Sequence, residues 1–144
     1  MTEDQPDKFE GLSEVRRRGL QKMEQVYGFE MNDMEGDFFR YTVEHLFGDI
    51  WQRPGLSDRD RRLFLIGMLV GQRAADVLTI QVPAALANGE LTPEELRELV
   101  ITACHYDGWP NGSRMNAVVE DAIGKAERAA KRAARDETAG SADG

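Results

Sequence analysis

The chain has 144 residues, a formal net charge of −8 and a hydrophobic content of 41%. That length suits one ordinary domain with a single apolar core, and the acidic balance argues against nucleic acid as the main partner, because phosphate neutralisation needs clustered cations. One cysteine, Cys104, excludes an intrachain disulfide, a Cys-x-x-Cys redox pair and a cysteine-based zinc site.

In chain order, residues 1–11 carry an acidic, polar start without a basic-then-apolar signal pattern, so a loose segment and a cytoplasmic location are expected. Residues 12–27 read as a mostly polar helix with Val15, Leu20, Met23 and Val26 available for packing, stopped by Gly28. A second helix is predicted over 37–51, its stripe Phe39, Val43, Leu46 and Ile50 following the 3.6-residue period, with Phe47 on one flank. Pro54-Gly55 makes a turn, and Ser57 is placed as the N-cap of the next helix. "RRLFLIGMLVGQ" is apolar almost all round, the pattern of a central helix covered by its neighbours. It is far too short to span a bilayer.

A helix over 74–87 follows, with Pro83 predicting a kink or an early break near Ile80 and Asn88-Gly89 its end. "LTPEELRELVITACHYDG" gives the clearest pattern. Thr92 is the N-cap, Pro93 occupies the first helical position, Glu95 completes a capping box and Gly108 is the stop. Leu96, Leu99, Val100 and Ala103 form its apolar stripe, and Cys104 reads as a small core residue. A last helix starts near Gly112, carries the basic run "KAERAAKRAAR", and gives way to a disordered tail at residue 136. Strand-type alternation is missing, so the expected class is all-α with about six helices: a domain over 12–127, then a helical extension and tail over 128–144.

The ordered motifs "RPGL", "NGELTPEEL" and "YDGWP", with "VRRRGLQKMEQVYG" before them, give the chain a resemblance to the carboxymuconolactone decarboxylase family over roughly residues 13–127. The resemblance implies a helical-hairpin fold, a homotrimer or homohexamer, and removal of a carboxylate from a small lactone with neither metal nor organic cofactor. It places an acidic site residue at Asp49 and a histidine of the decarboxylases at the position held here by Gln81. An amide hydrogen-bonds a substrate but exchanges no proton near neutral pH, so turnover of 4-carboxymuconolactone itself is expected to be weak or absent. Peroxidase chemistry of the related alkylhydroperoxidase-like branch needs a dithiol, which one cysteine does not supply.

His45 stands four residues before Asp49, a spacing that suits either an acid/base pair or a surface ion pair. Arg53 suits an anionic substrate or a loop contact. Thr102 and Tyr106 fall at the edge of their helix's apolar stripe, while His105 falls opposite it and stabilises the helix end. Two functions stay open. One is a cofactor-independent lyase for a small carboxylated or lactone-type metabolite, with Asp49 and His45 catalytic and Gln81, Tyr106, Thr102, Arg53 and His105 binding. The other is a non-catalytic oligomer that binds a small ligand or serves assembly on the same scaffold. No nucleic acid, membrane, metal or cofactor enters either reading.

Overall fold

A computed structural model describes residues 8–140. Among these residues there are helices and no strands, in the order α1 (Glu14–Tyr27), α2 (Asp37–Arg40) continuing as a π-helical segment (Tyr41–Phe47) and a 3-10 turn (Ile50–Gln52), then α3 (Asp58–Gly71), α4 (Ala75–Ala87), α5 (Pro93–Asp107) and α6 (Trp109–Gly140). None of the helices described is long and apolar enough to cross a membrane. The chain forms two compact units that divide between Asp58 and Arg59.

In the first unit, α1 buries Gly19, Leu20, Met23 and Val26 and ends at Gly28, whose φ of 76° lets its N–H reach back to the Glu24 carbonyl at 2.8 Å. Gly19 allows α1 to lie directly against the backbone of Val43, a position where any Cβ would collide with that carbonyl. Phe9, within the segment expected to be loose, is 4% exposed, and an aromatic ring has enough apolar surface to anchor its own turn. The earlier residues 1–7 lie outside the described residues.

The second predicted helix departs from expectation. The Gly48 N–H bonds the Val43 carbonyl at 2.8 Å, a five-residue step. This wider turn moves the next inward position from 46 to 47. Phe39, Val43 and Phe47 are therefore buried, and Leu46 is exposed. Phe47 lies edge-on to Tyr27 at 5.2 Å between ring centroids and stacks on Trp51 at 6.2 Å. These ring contacts favour Phe47 over Leu46 as the inward residue.

The second unit has one continuous core drawn from α3, α4, α5 and α6, including Ile66, Leu78, Val82, Leu96, Val100, Cys104, Met115 and Val119. Helix α4 runs unbroken through Pro83. Proline inside a helix costs about 3 kcal/mol, and here the burial of Leu78, Val82, Ala84 and Ala85 on either side of it holds the helix together. Asn88 and Gly89, the latter at φ 65°, close α4 as expected. The capping box of α5 is formed in full, with Thr92 Oγ1 accepting from the Glu95 N–H at 3.2 Å and Glu95 Oε2 accepting from the Thr92 N–H at 2.9 Å.

Gly108, at φ 91°, turns the chain, and α6 begins at Trp109 rather than at Gly112. Gly112 sits against Cys104, where a Cβ would strike the sulfur. The Ala- and Arg-rich end of α6 stays helical to Gly140, so residues 136–140 extend the helix where disorder was expected. A 32-residue helix already nucleated on a core propagates through Ala, Arg, Lys and Glu at little cost. Helix α3 is not covered on all sides either. Arg62, Ile66, Leu69 and Val70 are buried, while Phe64 and Met68 are exposed.

Candidate functional site

Asp49 and Arg53 come together in the first unit. The π segment ends at Gly48, where the tight approach of the Glu44 carbonyl leaves no room for a side chain. The chain then turns through Asp49 into the 3-10 turn and leaves it at Arg53 in extended conformation. This sharp exit opens a cleft of about 390 Å³ lined by Arg18, Gly48, Asp49, Gln52, Arg53 and Pro54. Arg18 reaches it from α1 and donates from Nη2 to the Gly48 carbonyl at 3.0 Å. Gln52 Nε2 donates to the Phe47 carbonyl at 3.0 Å. A neighbouring cleft of about 520 Å³ shares Arg18, Gln52 and Arg53 and adds Lys22, Trp51 and Asp58, among others. Lys22 Nζ is held by Asp58 Oδ2 at 2.7 Å.

The cleft thus combines one carboxylate with two guanidinium groups, a setting that can receive a small carboxylated anion by charge-assisted hydrogen bonds. His45 Nδ1 lies 3.8 Å from Asp49 Oδ2, with both side chains more than half exposed. The expected spacing therefore does produce a pair. This exposure leaves the imidazole accessible for proton transfer.

The remaining candidates lie in the second unit. Gln81 is 4% exposed, and its Oε1 accepts a hydrogen bond from Arg62 Nη1 in the core. Arg62 is itself fully buried and donates from Nε to Glu90 Oε2 at 2.6 Å and from Nη2 to Glu90 Oε1 at 3.3 Å. Asn88 Nδ2 reaches the same Glu90 oxygen at 3.2 Å. Where substrate contact was expected, the amide oxygen of Gln81 is engaged by a buried guanidinium that needs acceptors on every side.

Thr102 and Tyr106 line an apolar groove of about 260 Å³ with residues of α3, α5 and α6. Thr102 donates its hydroxyl to the Glu98 carbonyl at 2.9 Å, and Tyr106 is 91% exposed. His105 is exposed, its Nδ1 2.8 Å from the Ile101 carbonyl and its ring 6.0 Å from that of Trp109. Among the described residues no group of three His, Cys, Asp or Glu is placed to hold a metal ion.

Sequence reasoning missed Arg18, Arg62 and Glu90. Arg62 carried a readable signal, because it falls four residues before Ile66 on the buried face of α3. Arg18 lies in a run of three arginines, and nothing local distinguishes it from its neighbours.

Among the described residues the protein is helical throughout, with a two-arginine cleft beside an aspartate in the first unit and a buried Arg–Glu–Gln cluster in the second. The model of the carboxymuconolactone decarboxylase family matches residues 36–121, more than half of the chain. This chain belongs to that family. It is 40% identical over 69 residues to nitrosuccinic acid decarboxylase npaB of Metarhizium robertsii, a match that covers 48% of each protein. It is 31% identical over 91 residues to 4-carboxymuconolactone decarboxylase of Acinetobacter baylyi, covering 63% of this chain and 67% of that one. The chain thus spans about half the length of the first relative and two thirds of the second. No solved structure matches the chain at a significant level.

Proposed function

We propose that the protein is a cofactor-independent decarboxylase for a small acid that carries its own electron sink beside the leaving carboxylate. The observation that carries this reading is the cleft in which Asp49 meets Arg18 and Arg53. Two relatives named as decarboxylases support it.

Loss of carbon dioxide breaks a carbon–carbon bond and leaves the electron pair on carbon. In a nitro acid the pair passes into the nitro group as a nitronate. In an unsaturated lactone it passes into the ring. The protein then has two tasks. Arg18 and Arg53 hold the anion and balance the charge that moves onto the sink, and the His45–Asp49 pair delivers the proton that replaces the carboxylate. Asp49 lies 3.8 Å from the imidazole and orients it. Gln81 carries no proton for this chemistry, and it contributes by holding Arg62.

The test is release of carbon dioxide from nitrosuccinic acid and from 4-carboxymuconolactone. Turnover of the nitro acid is expected, lowered about 10²- to 10⁴-fold by Asp49→Asn or His45→Gln. On the lactone a deficit of the same order is expected for the wild type, because the decarboxylases' histidine is absent. Equal turnover in wild type and both variants overturns the site assignment, and silence on a panel of such acids overturns the activity.

The non-catalytic reading is favoured by one observation, the engagement of Gln81 by Arg62 in the core. It predicts saturable binding of the same acids without release of carbon dioxide.

A further inference from the structure

The cleft that holds Asp49 has a larger neighbour, and Arg18, Gln52 and Arg53 are a wall common to both. A ligand seated on the two arginines therefore has a second volume, of about 520 Å³, open beside it. One side of that volume is α1. Gln21, Lys22 and Gln25 stand three, four and seven residues beyond Arg18, a spacing that puts all four on one helix face. They precede residue 36, where the family match begins, so this wall lies outside the matched segment. Leu56, Ser57 and Asp58 line the cleft from the segment that leads into α3.

Lys22 gives the second cleft its character. Its ammonium donates to Asp58 Oδ2 at 2.7 Å and to Gln25 Oε1 at 3.1 Å, and Gln25 Nε2 donates to the same Asp58 oxygen at 3.2 Å. The three side chains close a ring of hydrogen bonds. The Lys22 side chain is 14% exposed and that of Asp58 29%, so the two charges answer each other more than they answer water. Beyond the arginines the cleft is neutral in sum and polar in detail. An ammonium has three donors and a carboxylate about four acceptor positions. The ring leaves a donor on Lys22 and acceptor positions on Asp58 for a ligand.

We propose, on the footing that Arg18 and Arg53 hold the anionic end of the substrate, that Lys22 and Asp58 form a subsite for an uncharged hydrogen-bonding group at its far end. A primary amide placed there accepts from Lys22 and donates to Asp58 at once. A second carboxylate placed there meets Asp58, a like charge, and finds Lys22 already neutralised. Asp58 is thus a specificity-determining residue. It selects acids that extend from the arginines to an amide or hydroxyl, and it rejects long diacids. A compact diacid such as nitrosuccinic acid carries its two carboxylates close together, and the two arginines supply a cation for each.

The test titrates the ¹⁵N-labelled chain by nuclear magnetic resonance with adipate and suberate, each against its own monoamide at fixed ionic strength. The monoamide is expected to bind at least about tenfold more tightly than its diacid, with shifts at the amides of Lys22 and Asp58 as well as Gly48 and Asp49. The protein's charge of −8 disfavours any diacid, so the variants carry the decision. Asp58→Asn keeps the shape, releases the charge of Lys22 and is expected to invert the preference. Lys22→Gln leaves Asp58 without its cation and is expected to deepen it. The double variant removes both charges and brings the two ligands close to level. A preference that Asp58→Asn and Lys22→Gln leave unchanged overturns the proposal, and so do shifts at Gly48 and Asp49 with none at Lys22 and Asp58. Silence at Gly48 and Asp49 with every acid overturns the arginine cleft itself, and this subsite with it.

Discussion

Arg62 is the residue on which the second unit turns. A guanidinium with no exposure is stable only when its donors are met, and Glu90 and Gln81 meet them. Removing one member of such a pair leaves the other charge buried and alone, at a cost of about 3–5 kcal/mol. Arg62→Met is therefore expected to lower the unfolding free energy by about that amount in a denaturant titration. Arg62→Met combined with Glu90→Leu and Gln81→Leu recovers most of it, because apolar replacement of a whole buried polar cluster is close to neutral. A single variant within about 0.5 kcal/mol of wild type, the range of ordinary surface substitutions, would show that the cluster is hydrated. The sequence exposed Asp49 and Arg53 through motifs that keep their order. It concealed the role of Gln81, since an amide reads the same whether it meets a ligand or an internal arginine.

At the scale of elements, the capping of α5 was legible in full because its signals lie within four residues of one another. The π segment was not. A periodic stripe assumes a constant turn, and Leu46 and Phe47 are both apolar, so only the rings of Tyr27 and Trp51 decide which one turns inward. The early break expected before Pro83 is absent for a related reason, since a local breaker is overridden by burial that the local sequence does not contain. The cap also carries a pH signature. The Glu95 carboxyl is held below the usual carboxylate range, first by the Thr92 backbone N–H and then by the Arg59 guanidinium. A group with a lowered folded pKa stabilises above its unfolded value and loses that contribution as pH falls through the folded one. The stability gap between wild type and Glu95→Gln is therefore expected to be constant above about pH 5 and to shrink below the ordinary carboxylate pKa of about 4.3. Thr92→Ala costs about 1 kcal/mol. A gap independent of pH down to acid unfolding would place Glu95 outside the cap in solution.

For the whole molecule, the all-α class was legible from periodicity and from the absence of alternation, while the division into two units at Asp58 was not. It falls at the start of α3, just after the Pro54-Gly55 turn, and a turn reads the same whether or not the helices on its two sides share a core. The net charge of −8 coexists with the cation-rich end of α6 and with the two arginines of the first unit's cleft. Local charge, not the total, decides what binds there.

The central claim is that the cleft of Arg18, Asp49 and Arg53 receives a carboxylated anion. A titration of the ¹⁵N-labelled protein with succinate, an unreactive dicarboxylate, tests it most directly by nuclear magnetic resonance. The account predicts saturable shifts at the backbone amides of Gly48, Asp49 and Arg53 and at the Nε–H signals of Arg18 and Arg53, abolished by the double variant Arg18→Gln, Arg53→Gln. Shifts confined to Thr102, Tyr106 and their groove, with the first unit silent, would contradict it.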